Sequence, residues 1–285
     1  MSPTPFHALA CPIDLSPLRP EGKSWVCPQN HSFDTAREKY VNLLPVQFKK
    51  TKAPGDSRQM LKARADFLQA GAYDFILDAV CAPIAGSMSR SSSDPFTVID
   101  AGCGNGYYTS GLKSWLEKAG YGGAFSMLGY DISKEAILMA AKRFNGIAWA
   151  VATSKRIPVQ EGSVDALVSI FSYPVFGEFR RVLKPAGMLV LVQPGPNHLI
   201  ELKQRIYSAP KIKPGLQNNH GGLFMESDEI HISRRIAGLT RRNMADLVNM
   251  TPHAFMGSRQ KIEEFLDNPG DSITADIFIR VLHPV

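Results

Sequence analysis

The sequence predicts an α/β protein, a mainly parallel sheet with helices on both faces, preceded by a small N-terminal module. Between residues 96 and 193, apolar segments of strand length alternate with amphipathic segments of helix length, which is the pattern of repeated βαβ units. Residues 1–38 are instead rich in Pro, Cys and polar side chains and show no helical period. A module this small buries little core and needs a further source of stability.

The composition is that of a folded chain. It has 285 residues, 44% of them hydrophobic, and a mean hydropathy of −0.10, which is enough apolar material for a full core. No apolar run approaches the ~18 residues of a spanning helix, and the N-terminus lacks the features of a secretory signal. The cysteines are too few and too irregularly spaced for a disulfide framework; they are Cys11, Cys27, Cys81 and Cys103. We therefore expect a cytoplasmic protein with no membrane contact.

The chain is basic, with a formal net charge of +6 and a pI of about 9.1, which favours an acidic partner such as nucleic acid. Cations concentrate in two stretches, residues 45–64 and residues 234–242. They are Lys49, Lys50, Lys52, Arg58, Lys62, Arg64, Arg234, Arg235, Arg241 and Arg242. Such groups neutralise phosphates, although a solvated helix face is the ordinary alternative. Together with the motifs below, we interpret both stretches as RNA contacts.

Residues 39–95 are expected to form a helical connector between the module and a main domain at 96–285. Apolar residues recur at helical spacing most clearly from Met60 to Val80. The Ser-rich stretch from Ala85 to Pro95 is typical of a loop.

The main domain is predicted to contain five buried strands with helices between them, since near-continuous apolar runs are typical of parallel strands covered on both faces. The strands are Phe96–Asp100, Phe125–Asp131, Ile147–Ala152, Val164–Phe171 and Met188–Gln193. The helices are Tyr107–Lys118, Lys134–Phe144 and Phe176–Val182. Beyond Tyr207 a Pro-, Gly- and Asn-rich insert runs to about Asp228, and further strands are expected near the C-terminus.

A glycine-rich turn, Gly102–Gly106, follows the first of these strands. Glycines permit positive φ and close approach of a ligand to the backbone, and ligands of open α/β sheets bind at the carboxyl ends of strands. The spacing G-x-G-x-G differs from the dinucleotide fingerprint, and Asp100 just before it suits a cation better than a pyrophosphate. S-adenosylmethionine (SAM), which carries a sulfonium and an amino group but no phosphate, fits this pattern. Cys103 inside the turn is expected to be a packing residue and not a nucleophile.

Further motifs follow the later strands in the expected order along the chain. Asp131 ends the second strand, where a carboxylate can accept hydrogen bonds from both ribose hydroxyls. Thr153 follows the third strand, where the adenine would lie, and the segment Arg180–Gly187 precedes the last strand. This order resembles class I SAM-dependent methyltransferases, and the resemblance implies a Rossmann-like doubly wound sheet that binds SAM. The alternative is a Rossmann-like domain that keeps the tight turns without the cofactor.

The N-terminal module carries a zinc-knuckle-like spacing, C-x₂-D-x₁₂-C-x₃-H, formed by Cys11, Asp14, Cys27 and His31. Zinc binds thiolate, imidazole and carboxylate groups, usually four of them in a tetrahedron, and a metal stabilises loops that have few apolar residues. Asp14 stands where a second cysteine is usual. The alternative is that metal binding has been lost and packing holds the module, through Leu18, Trp25, Val26 and Phe33.

Six segments then occur in an order that is typical of one family. They are Cys27–Asp34, Tyr40–Pro45, Pro54–Asp56, Asp100–Thr109, Pro194–Leu199 and Met250–Pro252. Together they resemble the bacterial 23S rRNA (guanine-N1)-methyltransferase family, often called RlmA, from about Cys11 to the C-terminal strands. The resemblance implies a zinc-binding N-terminal domain that recognises RNA, a SAM-binding domain, and methylation of a guanine in a hairpin of 23S rRNA by a homodimer.

Carried over to this sequence, the resemblance implies that Gly102–Gly106 hold the methionine end of SAM and Asp131 the ribose. Tyr73 and His198 look like the family's cofactor-contacting positions outside the core motif, although a capping or core histidine is the alternative for His198. The expected cofactor-binding set is Tyr73, Asp100, Gly102, Cys103, Gly104, Asn105, Gly106, Asp131, Thr153 and His198. Asp14 departs from the family pattern, as does the segment Phe171–Val175 beside the methyl donor.

The acceptor side is less defined by the sequence. Guanine N1 faces its pairing partner, so the base must lie in a loop or be unstacked, and no side chain stands out as the acceptor of its proton. Phe171 and Tyr173 follow the fourth strand and are the candidates to stack on the base. Two alternatives stay open, a methyltransferase of small molecules or proteins on the same fold and a non-catalytic rRNA-binding factor.

Overall fold

A computed structural model of the chain describes residues 6–49, 51, 54–93, 95–207 and 220–285. Lys50, Lys52 and much of the predicted insert before Asp228 lie outside these residues. Three short antiparallel strands form the N-terminal module, namely β1 (Arg19–Glu21), β2 (Ser24–Val26) and β3 (Ser32–Asp34).

An eight-stranded mixed sheet dominates the described part of the chain, in the order β10-β11-β9-β8-β5-β6-β7-β4. Its strands are β4 (Tyr40–Asn42), β5 (Phe96–Ala101), β6 (Phe125–Asp131), β7 (Ala148–Val151), β8 (Val164–Ile170), β9 (Leu183–Pro194), β10 (Phe224–Ala237) and β11 (Ser272–Pro284). The strands from β4 to β9 pair in parallel, whereas β11 and β10 return antiparallel. The predicted α/β sheet is confirmed, and its five predicted strands are β5 to β9.

Nine α-helices of the described residues connect the strands, and three of them lie between β10 and β11. They are α1 (Arg58–Gln69), α2 (Asp74–Met88), α3 (Tyr107–Leu116), α4 (Lys134–Arg143), α5 (Phe176–Val182), α6 (Ile200–Ile206), α7 (Arg241–Asn249), α8 (His253–Met256) and α9 (Arg259–Asp267). No single helix of the described residues is long and apolar enough to cross a membrane. The helices α1 and α2 meet that criterion only as a pair bent by 83°.

Two expectations for residues 60–95 need correction. The helical pattern from Met60 to Val80 is interrupted between α1 and α2, where Gly71 adopts a φ of +79°. The predicted loop at Ala85–Pro95 begins too early, because α2 continues to the buried Met88. Ser89 then bonds back to the carbonyl of Ala85, a local contact that lets serine occur at a helix end.

The two faces of the sheet bury different partners, since successive strand residues point to opposite sides. On one face, Val98 and Val168 belong to a core that includes side chains of α1 to α4 and of the C-terminal helices. On the other, Ile99 and Leu167 share a core with Trp25 of the N-terminal module and with α5. The module is therefore packed against the sheet, and the carboxyl ends of the central strands stay open for a site.

Candidate active site and metal centre

A cavity of about 490 Å³ lies at the carboxyl ends of β5, β6 and β8, the edge where ligands of open α/β sheets bind. Its volume is within the range of small-molecule sites. The lining residues used below come from four parts of the chain: Asp56, Arg64 and Tyr73; Asp100, Gly102, Cys103, Gly104, Asn105, Tyr108 and Asp131; Phe171, Ser172 and His198; and Met250 to His253. Distant segments thus converge on the glycine-rich turn.

The glycine-rich turn has a conformation that requires glycine. Gly102 and Gly104 adopt φ values of +79° and +54°, which L side chains rarely adopt. A Cβ on Gly102 would lie 2.3 Å from the Ser172 hydroxyl, so a side chain there would collide. The amides of Gly102 and Cys103 both donate to the Tyr130 carbonyl, at 2.9 and 3.0 Å, and fix the turn at the end of β5.

Two carboxylates flank this turn, the buried Asp100 and the half-buried Asp131. Asp131 accepts the Gly104 amide at 3.0 Å and the Ser133 amide at 2.8 Å, and burial raises its pKa. Burial also raises the pKa of Asp100 to about 7, although Thr109 donates to it at 2.5 Å. Burial disfavours the charged form of each acid, whereas a cationic ligand in the cavity would favour it, so cation binding and ionisation of these acids would be coupled.

An aromatic cluster of Tyr73, Phe171 and His198 forms another part of the lining. The ring centroids of Phe171 and His198 are 5.8 Å apart and nearly stacked, and Tyr73 lies 6.4 and 6.2 Å from them. Burial lowers the pKa of His198 to about 4, so the ring is neutral at pH 7. Its Nδ1 accepts the Asp276 amide at 3.3 Å, which leaves the ring proton on Nε2.

Two tyrosine hydroxyls give a test of whether the cavity fits SAM. Those of Tyr73 and Tyr108 are buried and have no hydrogen-bond partner among the described residues. Buried polar groups are normally satisfied, so a polar ligand would supply what the protein does not. The hydroxyls, the two acids and the glycine-lined wall together fit a cationic ligand with ribose hydroxyls.

The structure brings together all but two of the residues predicted to bind the cofactor. Gly106 and Thr153 do not line the cavity. Gly106 instead begins α3 and packs against Trp149, while the Thr153 hydroxyl accepts the Lys155 amide within a tight turn. Of the two candidates for base stacking, Phe171 lines the cavity and Tyr173 does not; the latter is 78% exposed.

Sequence reasoning missed a second group of lining residues. The Arg64 guanidinium forms an ion pair with Asp56 and donates to the Met250 carbonyl at 3.1 Å, so it joins α1 to the segment before α8. Arg64 lines the cavity, although the sequence suggested an exposed RNA contact. The motifs containing Asp56 and Met250 contributed to the family resemblance but carried no local signal of a role.

The other predicted cations lie on several elements of the described residues. Lys49, Arg58 and Lys62 are exposed. Arg241 and Arg242 on α7 pair with nearby acids, whereas Arg234 and Arg235 belong to β10 and contact Phe75 and Ser272. The second predicted basic cluster is thus shared between two elements, β10 and α7.

The four predicted metal ligands come together in the N-terminal module, with one donor atom of each within 4.8 Å of all the others. His31 Nδ1 lies 3.5 Å from Cys11 Sγ, 3.4 Å from Cys27 Sγ and 3.1 Å from Asp14 Oδ2, and Cys27 Sγ lies 3.6 Å from Asp14 Oδ2. Zinc bond lengths give a tetrahedron with edges of about 3.3–3.8 Å. The cluster therefore fits zinc in size and in donor type.

Two of the four side chains named for the packing alternative are fully buried. Leu18 and Trp25 are buried against the sheet, whereas Val26 and Phe33 are half-buried. Burial raises the pKa of the Cys11 thiol to about 11. A bound metal would hold this thiol as a thiolate, as metal ligation requires.

Comparisons with known proteins match both regions. Residues 9–52 match the family model described as RlmA, N-terminal, a zinc ribbon, and residues 98–187 match a methyltransferase domain. A protein of Bacillus subtilis, provisionally named as a 23S rRNA (guanine-N1)-methyltransferase, is 30% identical over 97% of each chain. One of Micromonospora griseorubida with the same provisional name is 32% identical over 99% of this chain and 98% of its own. A 23S rRNA (guanine(748)-N1)-methyltransferase of Streptomyces fradiae is 32% identical over 68% of this chain and 66% of its own.

Proposed function

The chain belongs to the 23S rRNA (guanine-N1)-methyltransferase family, and from that premise we propose that it methylates N1 of a guanine in a hairpin loop of 23S rRNA with SAM as donor. The observation that supports this most is the cavity at the end of β5. It combines a glycine turn and two acids, which suit SAM, with an aromatic cluster, which suits a nucleobase.

On the cofactor side, the residues at the turn would hold SAM by its polar groups. Each Asp131 oxygen accepts one backbone amide and keeps a lone pair for a ribose hydroxyl. Asp100 suits the amino group, and Arg64, the one arginine among the described lining residues, suits the carboxylate. Bound SAM supplies an electrophilic methyl carbon on its sulfonium.

On the acceptor side, the enzyme must hold the guanine with N1 in line with the methyl group, since orientation lowers the barrier. Phe171 lies in the cavity lining with 39% of its surface exposed, so an unstacked base can reach its ring. His198 carries its ring proton on Nε2, so Nε2 can donate a hydrogen bond to guanine O6. Because Nε2 is already protonated in the neutral ring, it cannot accept the proton that leaves guanine N1.

The remaining assignments extend this proposal to the whole chain. Residues 1–38 would contact the RNA and residues 96–285 would carry most of the transfer site. Residues 39–95 would connect the two and would also supply Arg64 and Tyr73 to the cavity. The exposed cations Lys49, Arg58 and Lys62 would neutralise phosphates of the hairpin. We further propose a cytoplasmic homodimer, in keeping with a ribosomal substrate and with four cysteines that are free.

The test is transfer of labelled methyl from SAM to unmodified 23S rRNA, followed by digestion to nucleosides. Label in 1-methylguanosine is the expected result, and much less is expected at limiting SAM with an Asp131→Asn variant, which weakens the ribose contact. Label in another nucleoside would place the methyl on a different atom. Binding of rRNA without label would favour the non-catalytic factor, and label on small molecules or proteins alone would favour the other methyltransferase class.

A further inference from the structure

The two carboxylate oxygens of Asp14 have different surroundings. Oδ2 faces the ligand cluster, 3.1 Å from His31 Nδ1 and 3.6 Å from Cys27 Sγ. Oδ1 faces away and receives two hydrogen bonds from one residue, the Ser16 amide at 2.9 Å and the Ser16 hydroxyl at 2.6 Å. One oxygen is thus directed at the metal position while the other is held by the protein.

We propose that Ser16 is a positioning residue that restricts Asp14 to one metal-binding oxygen, so that a carboxylate completes a four-coordinate site where a thiolate is usual. A carboxylate free to turn could offer both oxygens, which would raise the coordination number above the four of structural zinc sites. With Oδ1 engaged, Asp14 contributes a single donor atom, as a cysteine does. Hydrogen bonds to a ligand from outside the coordination sphere orient it and tune metal affinity.

The backbone places Ser16 for this contact. The Cys11 amide donates to the Ser16 carbonyl at 2.8 Å, and the Leu15 amide donates to the Cys11 carbonyl at 2.8 Å. Leu15 adopts a φ of +64°, unusual for a branched side chain, and this turn brings Ser16 back toward Asp14. Ser16 is therefore fixed relative to the first ligand, Cys11, by backbone contacts.

The Ser16 hydroxyl also contacts two other side chains, since Gln29 Oε1 lies 3.0 Å away and the Cys27 sulfur also interacts with it. The hydroxyl carries one proton, and Asp14 is the closer and the charged acceptor, which makes the stronger bond. The inference concerns metal affinity alone, so it stands or falls independently of the RNA substrate and of methyl transfer.

The first experiment measures zinc affinity of the full chain by competition with a chromophoric chelator, and metal geometry by cobalt absorption. Ser16→Ala should weaken zinc binding about tenfold, the lower end for loss of a hydrogen bond to a ligand, while Ser16→Thr, which keeps the hydroxyl, should bind as the unaltered chain does. Ser24→Ala is the matched control. Its hydroxyl donates to Asp34 at 2.7 Å in the same module, but Asp34 is not a ligand.

The second experiment replaces the carboxylate itself. Asp14→Cys should raise the intensity of the thiolate-to-cobalt absorption, because three thiolates then replace two. In that background Ser16→Ala should weaken zinc binding clearly less than in the Asp14 chain, since the carboxylate that Ser16 positions is gone and only its contact with Cys27 is left. Equal weakening by Ser16→Ala in both backgrounds, no weakening in the Asp14 chain, or equal weakening by Ser24→Ala would overturn the proposal. If Asp14→Cys binds no metal, the proposal is decided by the zinc affinities measured in the first experiment, those of Ser16→Ala, Ser16→Thr and Ser24→Ala.

Discussion

The N-terminal module and the central sheet are stabilised in different ways. All seven residues of β8 are buried, and the central strands of the sheet are covered by apolar side chains on both faces. The strands of the module are three residues long, and β1 is wholly exposed. The module gathers four ligand side chains within 4.8 Å. We therefore expect a metal to add to the stability of the module, whereas the central strands depend on burial.

The two regions also divide the chemistry. Among the described residues, none from the module lines the cavity, which is built from the sheet, α1, α3 and the C-terminal segments. The module nevertheless packs on the sheet through Leu18 and Trp25. Metal binding and cofactor binding should therefore be separable, even though the two regions share a core, and the following experiments probe that separation.

Removal of the metal should have the largest effect, and a local one. Chelation with dipicolinate should abolish amide-exchange protection in residues 9–35, since the ligands hold the module together. Protection in β5 to β9 should persist, and SAM affinity should change by less than about twofold because the sites are independent. Hydrogen exchange by mass spectrometry and calorimetric titration measure the two quantities. Joint loss of SAM binding and sheet protection would contradict the separation.

Substitution on the sheet should have the converse effect. Asp131→Asn should weaken SAM binding about 100-fold, because two hydrogen bonds to a charged group lose strength, while zinc content stays the same. Calorimetric titration measures the affinity. Asp228→Asn, an exposed acid of β10, is the control and should leave the affinity unchanged. An Asp131→Asn enzyme that binds SAM normally would remove Asp131 from the ribose site.

The two aromatic residues after β8 should differ in their effect on rRNA methylation. Phe171→Ala should lower kcat/KM for rRNA about tenfold or more, because stacking on a base contributes about 1–3 kcal/mol. Tyr173→Ala should stay within about twofold, since an exposed side chain outside the cavity makes no such contact. Steady-state kinetics at saturating SAM separate this effect from cofactor binding. A larger loss with Tyr173→Ala would reverse the assignment.

The smallest effect concerns pH. Burial raises the pKa of Asp100 to about 7 in the free protein, and a cationic amino group favours the ionised form. SAM should therefore bind more weakly as pH falls, by up to about tenfold between pH 7.5 and pH 6, with a proton released on binding. Since this folded-state pKa exceeds the unfolded value, the stability of the free protein falls as pH rises from about 4 to 7. Calorimetric titration in two buffers of different ionisation enthalpy measures the SAM affinity and the number of protons released. Asp100→Asn should make the SAM affinity nearly independent of pH over this range.

The fold was predictable where local patterns decide it. The predicted bounds of β6 and α5 agree with the structure, because each is an uninterrupted pattern between turn residues. The strand β4 was missed, since three residues carry no periodicity and its pairing with β7 arises only in the folded chain. The antiparallel return of β10 and β11 likewise depends on long-range pairing.

The site residues were likewise predictable where a local sequence pattern places them, and not where a long-range contact does. The glycine turn and Asp131 follow strands directly, so their place at the sheet edge follows from chain order. Arg64 was interpreted as a surface cation, because no sequence pattern near it indicates its contacts with Asp56 and with the Met250 carbonyl. Thr153 was expected in the lining, but its hydroxyl bonds within its own turn.

Reverse transcription of 23S rRNA after incubation with SAM tests the proposed function most directly. A methyl group on N1 blocks the Watson–Crick edge of guanine, so a primer-extension product should end one nucleotide before a single guanine in a hairpin loop. The stop should require SAM and should be much weaker with the Asp131→Asn variant at a limiting SAM concentration. Methyl incorporation into the rRNA without such a stop would contradict guanine N1 as the acceptor.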